Sequence, residues 1–158
     1  VTDRYSMRLF RWTASLSESP WIELADEFSP EALAGLALKA DAHAYAAEIR
    51  DSFTGDTQRI AKVPKLPVPC HAAVPQLQKA LARCEAERGL NTFPVEVLRD
   101  ARSQLRLALH CAEVRAGTEA GLFHDMDFVC WAVHRAMPAA QLMGHPLDAM
   151  PRSLRRTV

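Results

Sequence analysis

Most apolar positions in this chain recur at helical spacing, and that periodicity predicts a run of helices. Between residues 30 and 53, Leu33, Leu36, Ala37, Ala40, Ala44 and Ala47 fall on one stripe at 100° per residue. The stripe predicts an amphipathic helix opening at Ser29-Pro30-Glu31 and running to about Phe53, before Gly55. Ser19-Pro20 carries the same start signal and predicts a shorter acidic helix ending near Phe28. Further on, helices are predicted over residues 72–88, stopped by Gly89, and over 94–116, with Leu98, Ala101, Leu105, Ala108, Leu109 and Ala112 as its core stripe. Another is predicted from Thr118 to about Met137, limited by Pro138, with one more turn over 139–143.

Three segments escape this pattern. Residues 1–16 read as a short helix with Arg4, Arg8 and Arg11 on one face, or as an extended arm carrying Met7, Leu9, Phe10 and Trp12. Val63-Pro64-Lys65-Leu66-Pro67-Val68-Pro69 cannot be helical, because alternate prolines forbid it, and is expected to be polyproline-like. From Gly144 onward the two prolines and the arginines predict a frayed tail. Strand signals are sparse: no Asn-Gly or Asp-Gly hairpin turn occurs. The expected fold is therefore all-α, a single domain over residues 1–158 made of five to six helices with a Pro-rich connecting segment.

Composition changes this picture in two ways. At 158 residues the chain can bury a core without disulfides or metals. Its formal net charge is +0, yet the charge is divided: residues 1–58 hold ten acids and five bases, and residues 59–158 hold nine acids and fourteen bases. Fifteen of the nineteen bases are Arg, which suits planar bidentate contact with carboxylate or phosphate. Cys70, Cys84, Cys111 and Cys130 form no C-x-x-C pair and read as reduced core thiols. No apolar run is long enough to span a bilayer and no apolar leader is visible, so the expected location is cytoplasmic.

Candidate chemistry concentrates on two helices. The predicted helix 118–137 is apolar on both sides. Leu122, Met126, Val129, Cys130, Val133 and Met137 form one face, and His124, Asp127, Phe128, Trp131, His134 and Arg135 the other. A solvated face seldom carries both Phe and Trp. Such a helix is either buried all round or meets a protein partner through Phe128, Trp131, His134 and Arg135, with the two aromatics as anchors. On the helix before it, Arg99, Arg102, Arg106 and His110 lie within about 80° of arc, a row able to track phosphates. Arg152, Arg155 and Arg156 could extend that row. The alternative for the row is a solvated face with intrahelical ion pairs.

A metal set is also conceivable: His110 and Glu113 on one helix facing His124 and Asp127 on the next. His124 and His134 are ten residues apart, about 15 Å along a helix, so one ion cannot take both. Cys70-His71 could present an exposed thiol beside an imidazole, but no third group is identifiable. Phosphate-binding glycine loops and the nucleophile elbow are absent from the sequence.

The reading ranked first is a non-enzymatic interaction protein without a cofactor: an adaptor, inhibitor or small subunit binding a protein partner or a second copy of itself. The alternative is a component that binds the nucleic-acid backbone, and a His/Asp metal-dependent hydrolase ranks third. A membrane partner is not expected.

Overall fold

The computed structural model describes residues 4–13, 15–63, 73–90, 92–116 and 125–147, with 114–116 described by backbone alone. The chain divides into two compact units, Val1–Pro64 and Lys65–Val158. The first is mixed α/β, which corrects the all-α expectation of a helical bundle.

In the first unit, β1 (Tyr5–Trp12), β2 (Leu16–Glu18), β3 (Ile22–Glu23), β4 (Ala44–Asp51) and β5 (Thr57–Ala61) form one antiparallel sheet in the order β2-β1-β4-β5, with β3 also paired to β1. The helix α1 (Pro30–Ala40) joins β3 to β4 and packs on β1, β4 and β5. Residues 5–12 are thus extended rather than helical, as a strand paired within the sheet instead of an arm. Tyr5, Met7 and Leu9 alternate toward α1, with Leu24, Ala34, Leu38, Ala47 and Ile49 in the same core. The Arg4/Arg8/Arg11 spacing that resembled a helix face spans a strand instead.

Two local devices turned predicted helix into sheet. Asp41 ends α1 because its Oδ1 accepts the His43 N–H at 3.0 Å while its carbonyl accepts the Ala44 N–H at 3.2 Å. This Asx turn offers the backbone an alternative to the next helical bond, so no glycine is needed. Arg11 pins the turn by a 2.7 Å bond from its Nε to Asp41. Ala44 and Ala47 are then strand residues, fully buried in the same core as α1. Leu36, expected in the core stripe, faces solvent.

At Ser19-Pro20 the hydroxyl that suggested a helix cap does another job. Ser19 Oγ accepts the Leu9 N–H at 2.7 Å, and Ser19 N–H donates to the Leu9 carbonyl at 2.8 Å. Pro20 lacks a donor and is tolerated because it lies between two short edge strands. The β1–β2 and β1–β3 registers differ by one residue across it. Ser29, by contrast, does cap α1, accepting the Ala32 N–H at 3.4 Å.

The second unit is helical in its described residues: α2 (Val74–Glu87), α3 (Val95–Ala116), α4 (Met126–Arg135) and α5 (Met137–Leu142). α2, α4 and α5 all pack on α3. Leu77, Ala80 and Cys84 of α2 meet Leu98, Ala101, Leu105, Ala108 and Ala112 of α3 as its buried stripe. Asp125 caps α4, its carboxylate accepting the N–H groups of Asp127 and Phe128. The expected start of that helix at Thr118, the Pro-rich run after Val63 and the tail beyond Leu147 lie outside the described residues.

Candidate functional site

The aromatic pair of α4 is interior. Phe128 is 0% and Trp131 3% exposed, and every residue from Phe128 to Val133 is buried. Their rings stack with centroids 5.9 Å apart. Arg135 lies over the Trp131 ring at 5.0 Å and is half-buried; desolvation lowers its pKa, and nearby Asp100 opposes that shift. His134 is half-buried too, and burial pushes its imidazole toward the neutral form. Of the two readings of this helix, burial all round describes Phe128 and Trp131, which removes the anchors of the expected partner face from the surface.

The described members of the metal set form no cluster. His110 and Glu113 are exposed on α3, where Glu113 accepts a long 3.5 Å bond from Gln78, and Asp127 is half-buried at the start of α4. His124 lies outside the described residues. Among the described residues no group of three or more His, Cys, Asp or Glu is placed to hold an ion. Cys84, Cys111 and Cys130 are buried; burial raises the Cys84 thiol and pushes the Cys111 thiol up to about 12, so those two are poor nucleophiles. Cys70 and His71 lie outside the described residues.

The arginine row of α3 is on the surface. Arg99, Arg106 and His110 are exposed and Arg102 half-exposed. At its N-terminal end the row borders a cavity of ≈ 330 Å³ lined by Arg88, Val95, Leu98, Arg99 and Arg102, at the corner where α2 turns into α3. Leu98 forms a buried floor. Val95 is 71% exposed, and Leu90, in the turn, is 68% exposed. The charges there are partly matched. Glu85 on α2 is hydrogen-bonded to Arg102 and is 3.1 Å from Arg88. The Arg102 bond first, and Arg88 after it, hold the Glu85 carboxyl below its usual range. One carboxylate thus serves two guanidiniums. Among the described residues Arg99 and Arg106 have no carboxylate partner, and the corner keeps an excess of positive charge. Arg152, Arg155 and Arg156 lie outside the described residues.

A second arginine-aromatic cluster covers the sheet face opposite α1. Arg8 bonds Glu18 at 2.8 Å and Glu48 at 2.9 Å, and its guanidinium lies over the rings of Phe10 and Trp21. Arg50 lies 4.2 Å from the Trp21 centroid. Glu48 stands opposite Arg8 on β4, and Glu18, opposite Phe10 on β2, reaches it diagonally, so the Arg8 charge is matched within the sheet and ties β1 to both neighbours.

Sequence reasoning located the α3 row but missed the cavity beside it. The missed signal was the pair of apolar residues, Leu90 and Val95, on either side of a turn already bracketed by Arg88 and Arg99. No protein-family model, curated protein or solved structure matches the chain, so the site is read from its own residues.

Proposed function

We propose that this protein is a non-enzymatic interaction module, and that the α2–α3 corner binds a protein segment combining carboxylates with one apolar side chain. The observation that carries this is the composition of the cavity: a buried leucine floor and an exposed valine wall, rimmed by three arginines of which two share a single glutamate and the third, Arg99, has none among the described residues. Large apolar side chains left in water beside Arg are the mixture that interface cores favour. Burying one apolar side chain there is worth about 1.5–3 kcal/mol, and each exposed ion pair about 0.2–1 kcal/mol. These contributions total about 2–6 kcal/mol before the cost of association, so a single contact binds weakly, about millimolar or weaker. Arg99 supplies the unmatched charge, and Val95 with Leu98 the apolar contact.

The exposed row Arg99, Arg106 and His110 favours a second reading, in which phosphates of a nucleic-acid backbone lie along α3. Magnitude argues against ranking it first. Each phosphate neutralised contributes a slope of about −0.9 in log affinity against log salt, and the described row offers contacts for only about three. Backbone phosphates would also leave the apolar part of the cavity unused.

The test is fluorescence anisotropy with a short labelled peptide of Asp and Glu around one Phe, the same peptide with Ala for Phe, and a single-stranded oligonucleotide. The Phe peptide is expected to bind most tightly, and Arg99→Glu to weaken it about tenfold, a loss of about 1.4 kcal/mol. Unchanged peptide affinity in Arg99→Glu would refute the reading. Tighter oligonucleotide binding with a steep salt dependence would replace it with the nucleic-acid reading.

A further inference from the structure

The first unit carries a segment with the chemistry that the corner asks for. Ala25-Asp26-Glu27-Phe28 forms a turn, in which the Phe28 N–H donates to the Ala25 carbonyl at 3.3 Å. All four residues are exposed, and Phe28, at 57%, is one of the large apolar side chains facing water. The turn is held from both sides. Before it, Leu24 is buried in the core and its N–H donates to the Tyr5 carbonyl at 2.9 Å. Within it, Asp26 Oδ1 accepts the Arg4 N–H at 3.3 Å, and after it Ser29 caps α1. Glu23 and Glu31 add exposed carboxylates on either side, and among the described residues Glu27 is paired with no cation.

We infer that the α2–α3 corner of one copy of this chain takes the Asp26-Glu27-Phe28 turn of a second copy. The inference rests on the reading of the corner as an acidic-apolar docking site and names its occupant. Three features support it. The charges are complementary: carboxylates at 26 and 27 against Arg88, Arg99 and Arg102. The sizes fit, since a cavity of ≈ 330 Å³ admits one aromatic ring. The turn is already fixed in the free chain, so docking it loses little conformational freedom. Each copy also carries both halves of the contact, so copies of the chain can associate with no other partner.

Sedimentation of the full chain tests this with two substitutions at exposed positions, Glu27→Arg and Arg99→Glu, whose unfolding curves are first checked against wild type. Wild type is expected to dimerise with concentration, and each variant alone to associate at least about tenfold more weakly. Mixing the two variants decides the partner. In a mixed pair, the unchanged Arg99 of the Glu27→Arg copy meets the unchanged Glu27 of the other. In the reverse contact the two introduced side chains meet with their signs exchanged. Opposite charges thus face each other in either contact between unlike variants, and association returns. Wild type that stays monomeric, or variants that fail to recover on mixing, would overturn the second-copy proposal. If it is overturned while the Phe peptide still binds wild type and not Arg99→Glu, only the occupant is wrong. If Arg99→Glu leaves peptide binding intact, the docking site itself is wrong.

Discussion

Gly144 shows how much a single residue can decide in this protein. Its φ is +76°, and it ends α5 with His145 N–H donating to the Ala140 carbonyl at 2.9 Å. A Cβ there would come within 2.8 Å of the Arg83 Nη1, which donates to the Met143 carbonyl, also at 2.8 Å. Gly144→Ala is therefore expected to lose about 2 kcal/mol, from left-handed strain plus a weakened Arg83 bond, read as a lower urea midpoint. An unchanged midpoint would show that Arg83 adjusts and the strain is relieved. Trp131 gives a larger effect. As a core residue its replacement by Ala should remove about 3–5 kcal/mol of stability. Binding of the acidic peptide by the fraction still folded should stay as in wild type, because the corner is built from other residues. Loss of binding with unchanged stability would return Trp131 to the surface.

At the scale of elements, β1 and β4 are tied together at one end by ions. Arg4 reaches across to Asp51 with three bonds between 2.9 and 3.2 Å, and the Phe53 N–H donates to the same carboxylate at 2.9 Å. The Arg4 bond first, with the turn's N–H groups, holds Asp51 down from 3.8 to about 2. A carboxyl with a depressed folded-state pKa adds stability above its unfolded pKa, and that stability is lost as pH falls through the folded value. The window here runs from about pH 4 down to about pH 2. Asp51→Asn should flatten the acid limb of stability in that window while lowering stability at neutral pH. An acid limb identical to wild type would show that Asp51 contributes nothing to it.

The elements also show which parts of the fold were legible. α2 and α3 start and stop within two residues of their predicted limits, because an amphipathic stripe bounded by Pro and Gly is a strong local signal. The sheet was not legible for local reasons. In β1 the period-two pattern Tyr5, Met7, Leu9 is masked by Phe10 and Trp12, which break the alternation, and by arginines spaced for a helix. In β4 three alanines, good helix formers, are buried strand residues; for Ala44 and Ala47 burial in the core shared with α1 outweighs a propensity worth tenths of a kcal/mol per residue. The turn at Asp41 that separates them depends on its side-chain bond, not on Gly or Pro. For the site, the α3 arginine row followed from spacing alone. The cavity required knowing how α2 and α3 meet near Arg88 and Val95, and the α4 aromatics stayed open between burial and a partner face because periodicity shows two apolar faces without showing what covers them.

Taken over the whole molecule, the division of charge gains a physical use. An acidic first unit and a basic second unit give a neutral chain that still presents local fields of opposite sign, which speeds encounter between oppositely charged surfaces. Among the described residues no helix is long and apolar enough to cross a membrane. Binding of a carboxylate-rich, Phe-bearing protein segment at the α2–α3 corner is best checked by titrating the isotope-labelled chain with the acidic Phe peptide and following backbone amide resonances. The amides of Leu90, Val95, Leu98, Arg99 and Arg102 are expected to shift together and saturate, with the α4 amides unmoved. Saturable shifts confined to the sheet unit or to α4, or no shifts at the corner while the peptide is demonstrably bound, would contradict it.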